Sequence, residues 1–152
     1  MKLIQMEHKH FKALHHITTT CEPWWGWDRN TSDRLFAQRE GFVLVAADDT
    51  VVGHITFSNY QPLLEVAIHV SVLPEYQRRW LTKDIYRQVF DHVFTELKCH
   101  RAVGVAFEGF TDLNFHERLG FKKEGILRDG FLIRGEYSNI RWFSMLQDER
   151  RW

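Results

Sequence analysis

Between Leu64 and Phe107 the chain reads as strand, break, helix, strand, and this succession restricts the fold more than any other stretch. Val66, Ile68, Val70 and Val72 alternate with Glu65, Ala67, His69 and Ser71, the period of a strand with two different faces. Pro74 breaks that strand, because proline has no N–H for a ladder. Thr82 then reads as a helix N-cap with Asp84 in the first turn. Ile85, Val89, Val93 and Leu97 recur at i+4 and Phe90 and Phe94 widen the stripe, so the helix runs to about Lys98. Arg101 to Phe107 is the next strand. Strands joined by a helical crossover pair in parallel, so the chain holds a βαβ unit.

The flanking segments extend the sheet. Lys2 to Met6 reads as a short edge strand and His8 to Thr19 as a helix with Phe11 and Leu14 inward. Cys21 to Trp27 reads as a loop, and Ser32 or Asp33 as the cap of a second helix through Glu40, ended by Gly41. Phe42–Ala47 and Val51–Asn59 form a hairpin around Asp48-Asp49-Thr50, and Leu64–Leu73 continues the meander. Thr111 to Leu119 is a short helix stopped by Gly120. Lys122–Ile133 and Ser138–Leu146 form a last hairpin around Arg134-Gly135-Glu136. The expected order is β-α-α-β-β-β-α-β-α-β-β. That is one α/β domain over residues 1–152, a mixed central sheet with helices on both faces.

Composition removes several function classes. Lys plus Arg and Asp plus Glu are 20 each, so no net charge draws the chain to DNA, RNA or acidic membranes. No run of eighteen apolar residues and no secretory leader is expected, which places the chain in the cytoplasm. Two cysteines, Cys21 and Cys99, make no disulfide framework. Nine histidines show no paired ligand motif beyond His8/His10 and His15/His16, so no metal is expected.

The run Val72-Leu73-Pro74-Glu75-Tyr76-Gln77-Arg78-Arg79 and the run His116-Glu117-Arg118-Leu119-Gly120-Phe121 resemble two motifs of the GNAT N-acetyltransferase superfamily. The first is similar to its acetyl-CoA loop and the second to its Tyr-Glu-Lys-Leu-Gly-Phe signature, with His116 in place of Tyr. The tail from Gly120 to Leu146 resembles the ribosomal-protein alanine acetyltransferase (RimJ/RimL) branch. Arg79-Trp80-Leu81-Thr82 and the C-terminal Glu149-Arg150-Arg151-Trp152 resemble members carried by phages and prophages.

The resemblance implies acetyl transfer from acetyl-CoA, the cosubstrate, to a primary amine by direct attack in a ternary complex. It implies a cofactor surface made by Val70 and Val72 and by Gln77, Arg78, Arg79, Trp80, Leu81 and Thr82. A helix N-terminus offers N–H donors and a positive dipole to the pyrophosphate, and Arg78 and Arg79 add charge. The backbone at Val72 would donate to the acetyl oxygen. Two departures stand out. Trp80 and Thr82 occupy positions that are small in the family, where glycine lets backbone approach phosphate. Gly109 stands where the family often has Asn.

Three residues are the candidates for proton transfer. Glu65 lies at the start of the strand before Pro74 and is equally an exposed strand-end carboxylate. His69 is on the same face, and imidazole titrates near neutrality. His116 takes the position from which a family Tyr protonates the leaving thiolate. An α-amine is neutral in about one molecule in ten at pH 7, a lysine-like amine in about one in a few thousand. Weak bases therefore suit an N-terminal α-amine or a small amine of low pKa. Trp24, Trp25 and Trp27 fall in the segment that borders the acceptor groove in the superfamily. The partner is thus an amine, peptide N-terminus or small molecule, with a homodimer left open. A chain whose slot is closed by Trp80 and Thr82 would instead be a silent binding module acting on a host protein.

Overall fold

The structure is a computed structural model and describes residues 1–112 and 114–152. Seven strands are ordered β1-β2-β3-β4-β5-β7-β6. They are β1 (Lys2–Gln5), β2 (Glu40–Val45), β3 (Val51–Gln61), β4 (Glu65–Val72), β5 (Arg101–Phe107), β6 (Lys122–Ile133) and β7 (Glu136–Leu146). The helices are α1 (Phe11–Cys21), α2 (Arg29–Ala37), α3 (Lys83–Asp91) and α4 (Phe115–Leu119). The expected element order and mixed sheet are found. Glu65, Val66 and Ala67 of β4 pair in parallel with Arg101, Ala102 and Val103 of β5, as the crossover requires.

The packing forms two compact units, residues 1–58 with 68–89, and residues 59–67 with 90–152. The first holds α1, α2, β1, β2 and most of β3. Leu14, Ile17, Phe36, Val43, Leu44 and Val52 are at most 1% exposed there and make its core. The second is built on β5, β6 and β7. Its β6–β7 turn places Arg134 at φ 52° and Gly135 at φ 80°, the mirror-image geometry that matches strand twist in a two-residue hairpin. The returning strand therefore starts at Glu136 rather than Ser138.

Other boundaries also differ from the sequence reading. The cap of α2 is Asp28, whose carboxylate accepts the Thr31 N–H at 2.7 Å, and not Ser32 or Asp33. Ser32 lies within the helix, fully buried, and Asp33 pairs with Arg29 at 2.6 Å. Gly41 does not end α2. It lies in β2, where a Cβ would come 2.3 Å from the Ile55 carbonyl oxygen, so glycine permits the close approach of β3. The helix expected from Thr111 starts only at Phe115, because Thr111 Oγ1 instead accepts the Phe107 N–H at 2.8 Å and closes a turn. Leu113, inside that expected helix, lies outside the described residues.

The helix after Pro74 begins as expected. Thr82 Oγ1 accepts the Ile85 N–H at 3.2 Å. Its second half passes into a π-helical turn, His92–Glu96, which widens the coil and brings His92, Val93 and Phe94 all into the interior. No helix among the described residues is long and apolar enough to cross a membrane.

Candidate active site

In the first unit β4 ends at Val72 and the chain turns through Pro74–Tyr76 into the loop before α3. The loop folds on itself. The Gln77 N–H donates to the Pro74 carbonyl at 3.3 Å, and the Arg79 and Trp80 N–H groups both donate to the Tyr76 carbonyl at 3.1 Å. Three of the expected phosphate donors are therefore engaged within the turn. The N–H groups of Thr82, Lys83 and Asp84 stand in the cap and first turn of α3, where a helix supplies no acceptor of its own. The positive helix end is thus displaced toward residues 82–84.

Trp80 explains how the loop tolerates its departures from the family pattern. Its side chain is only 4% exposed, so the indole is packed into the protein interior and not laid over the loop. Residues 77–82 are absent from the positive-φ positions among the described residues. This path needs no left-handed residue, so glycine has no conformational advantage at 80 or 82. Arg78 and Arg79 are exposed, with Arg79 lying over the Tyr76 ring at 5.4 Å. Gln77 Nε2 donates to the Val72 carbonyl at 3.0 Å and ties the loop to the end of β4. The Leu73 N–H donates to the Val52 carbonyl at 2.9 Å and is taken up by β3.

The other side chains at this strand end come from α1. Cys21 Sγ donates to the same Val72 carbonyl at 3.3 Å, and Ser71 Oγ donates to Glu22 Oε2 at 2.8 Å. Burial and the Glu22 and Glu75 carboxylates push the Cys21 thiol up to about 11, so it stays protonated and is no nucleophile near neutrality. Glu22 was not among the sequence candidates. Its position before Pro23 marks a helix end, but nothing in the sequence aims it at β4.

His69 shares a 2.7 Å hydrogen bond between Nε2 and Ser58 Oγ. Burial, with the Arg39 charge adding, lowers its pKa to about 4, so the ring is neutral at physiological pH. His54, on β3, is 2% exposed and meets Phe36 edge-on at 5.1 Å, and burial lowers its pKa to about 3.

Glu65 is the first residue of β4 and belongs to the second unit. Its carboxylate is held by Arg101, whose Nε donates to Oε2 at 2.9 Å. The pair lines a groove of about 470 Å³ in the second unit, with Glu124, Ile126, Trp142 and Ser144.

His116 also belongs to the second unit. Its ring stacks on Phe143 at 4.7 Å and 7° and meets Phe121 edge-on at 5.5 Å. Burial lowers its pKa to about 4 despite the opposing Asp112 charge. The ring is therefore a neutral hydrogen-bonding group at pH 7.

The sequence model of the acetyltransferase (GNAT) family matches residues 11–121. The chain belongs to this family. GNAT relatives include the spermidine N(1)-acetyltransferase of Vibrio cholerae, 26% identical over 110 residues, 71% of this chain and 64% of that protein. Another is the SPbeta prophage-derived uncharacterized N-acetyltransferase YokL of Bacillus subtilis, 29% identical over 111 residues, 71% of this chain and 62% of the relative. These matches span less than two thirds of either relative. Among solved structures, a mutant of the spermidine N-acetyltransferase SpeG of Vibrio cholerae superposes with a TM-score of 0.82 at 18% identity, covering 97% and 96% of the two chains. A chimera of that GNAT enzyme with hSSAT gives 0.82 at 19% identity over 97% of both. At this identity the superpositions establish the fold.

Proposed function

We propose that the protein transfers an acetyl group from acetyl-CoA to a primary amine, the two substrates reacting directly without an acyl-enzyme. The observation that carries this reading is the loop after β4 in a GNAT chain. Trp80 is folded into the interior and Thr82 caps α3, so the two residues that depart most from the family pattern are structural and leave the helix end to the phosphates. Arg78 and Arg79 supply exposed positive charge beside it. The high thiol pKa of Cys21 argues against a covalent intermediate on that residue.

In the reaction the amine nitrogen forms a bond to the thioester carbonyl carbon, the carbon–sulfur bond breaks, and the thiolate leaves as coenzyme A after taking a proton. The ammonium form of the acceptor must first lose a proton to a base. His69, neutral and paired with Ser58, accepts a hydrogen bond from the amine once it is neutral, but with a pKa lowered to about 4 it does not take the proton of an alkylammonium, which goes to solvent; Glu65 is tied to Arg101. His116 offers a neutral imidazole as the thiolate-side hydrogen-bond donor.

The acceptor is a small alkyl amine of the kind named for the Vibrio cholerae relative. The RimJ/RimL resemblance of the tail supports a peptide α-amine as the competing acceptor. Isothermal titration with acetyl-CoA and with coenzyme A tests the first step, and micromolar binding is expected. Absence of binding at millimolar ligand would overturn the acetyltransferase reading in favour of a silent module. Acetylation rates for spermidine against an alanine-initiated peptide then separate the acceptors.

A further inference from the structure

The peptide that joins Val72 to Leu73 is held at both of its polar ends. The Leu73 N–H donates to the Val52 carbonyl of β3 at 2.9 Å. A trans peptide points its N–H and C=O in opposite directions, so the Val72 carbonyl points away from β3. Two side chains meet it there. Cys21 Sγ donates at 3.3 Å and Gln77 Nε2 donates at 3.0 Å, which takes up both lone pairs of one carbonyl oxygen. Cys21 is the last residue of α1, and Gln77 lies in the loop before α3. One acceptor therefore joins a helix end to that loop.

In an extended strand the N–H and C=O of one residue point to the same side, and Val72 is the last residue of β4. The Val72 N–H therefore points away from β3 together with its carbonyl. On the acetyltransferase reading this N–H is the donor to the acetyl oxygen. Whatever holds the carbonyl thus also sets the direction of the donor. The strand end is braced on its other sides. Ser71 Oγ donates to Glu22 Oε2 at 2.8 Å, so two consecutive residues of β4 are tied to two consecutive residues at the end of α1. A Cβ at Gly53 would lie 2.8 Å from the Ser71 carbonyl oxygen and 3.2 Å from Val72 Cα, so β3 sits hard against this part of β4. Gln77 belongs to the expected cofactor loop itself, and Cys21 is the hold that comes from outside the loop. Cys21 is half-buried, and burial, with the Glu22 and Glu75 carboxylates adding, pushes its thiol up to about 11. The proton it donates therefore stays on sulfur at neutral pH.

We propose that Cys21 is a positioning residue for acetyl transfer: its thiol, with the Gln77 amide, holds the Val72 carbonyl and so aims the Val72 N–H at the acetyl oxygen. This rests on the acetyltransferase reading above. Cys21 forms no bond to either substrate. Its effect grows as the acetyl oxygen gains charge, because a fixed donor is worth most where negative charge develops. Loss of the thiol therefore falls on kcat and leaves acetyl-CoA affinity nearly unchanged.

The test follows the Val72 amide resonance of the full chain during titration with acetyl-CoA and with coenzyme A. Values of kcat and of KM for acetyl-CoA are measured beside it, with spermidine and with an alanine-initiated peptide as acceptors. In the wild type acetyl-CoA should move the Val72 amide further than coenzyme A, which lacks the acetyl oxygen. Cys21→Ala should lose about half or more of that difference and lower kcat about two- to tenfold, the worth of one hydrogen bond, with acetyl-CoA affinity within about twofold. Cys21→Ser keeps a donor and should recover most of both effects. Cys21→Val fills the space without a donor and should match Cys21→Ala, and it carries the test if the alanine variant fails to fold. A packing role alone would make valine the better replacement and serine the worse, and that order overturns the proposal. So does a folded Cys21→Ala with the kcat and the Val72 shift of the wild type. If acetyl-CoA binds but leaves the Val72 amide in place, the proposal falls alone. If acetyl-CoA does not bind, the acetyltransferase reading falls and the proposal with it. The resonance decides between these outcomes even where neither amine is turned over.

Discussion

The His116 ring occupies the space that a side chain at residue 104 would need. A Cβ built on Gly104 would lie 2.4 Å from both Cδ2 and Nε2 of that ring. Gly104 is in the middle of β5, where a missing side chain otherwise weakens a strand. The histidine is thus held between a bare stretch of β5 and the face of Phe143.

Gly104→Ala should therefore displace the imidazole. Overpacking of this kind costs about 1–3 kcal/mol. The displaced ring becomes better hydrated, so the His116 pKa should rise from about 4 toward its ordinary value of 6.5. Chemical denaturation measures the first effect and an NMR titration of the ring the second. An unchanged His116 titration would mean that the ring is not held by Gly104.

Trp80→Gly restores the small residue seen in the family pattern, yet the structure predicts loss. The indole is 4% exposed, and removing a buried tryptophan side chain costs about 3–5 kcal/mol. Acetyl-CoA affinity should not improve in the variant, measured by titration below its unfolding midpoint. A stable variant that binds acetyl-CoA more tightly would show that Trp80 obstructs the slot.

Thr82→Ala removes the hydroxyl that caps α3 and should cost about 1 kcal/mol. Thr82→Ser keeps the acceptor oxygen and should restore most of that stability. Urea midpoints of the three proteins decide it, and equal midpoints would remove Thr82 as the cap.

Stability should fall on mild acidification. His69 and His116 have folded pKa values lowered to about 4 and His54 to about 3, against 6.5 for each in the unfolded chain. Below pH 6.5 the unfolded chain binds protons that the folded chain excludes. The contribution of these groups is thus complete above pH 6.5 and is lost as the pH falls toward 4. Each group adds a slope of up to about 1.4 kcal/mol per pH unit in that window. Urea midpoints at pH 7 and pH 5 measure the loss. Replacing His54 by Asn should flatten the curve, and a wild-type midpoint independent of pH would contradict the burial of charge-free imidazoles.

Much of the fold follows from local chemistry and was legible. The alternation of Glu65–Val72, the break at Pro74, the Thr82 cap and the stop at Gly120 each depend on groups within a few residues of each other. The Gly120 turn, at φ 106°, needs no distant partner to be read. Elements were misjudged either where a distant neighbour overruled the local signal or where a nearby residue won the same local bond. Gly41 reads as a helix stop until β3 is placed against it, and Ser32 reads as a cap until Asp28 takes that role.

The sequence by itself determined the βαβ unit and the family pattern around Pro74 and Gly120, and it supplied the candidates for phosphate binding and proton transfer. Those depend on spacing and residue type. Tertiary structure decided how each side chain is used. It turned Trp80 inward, bound Glu65 to Arg101, left His69 and His116 neutral, and brought Glu22 to Ser71 across 49 positions of sequence. Burial and charge at a residue are sums over neighbours that are remote along the chain, so they exist only once the sheet and helices have packed.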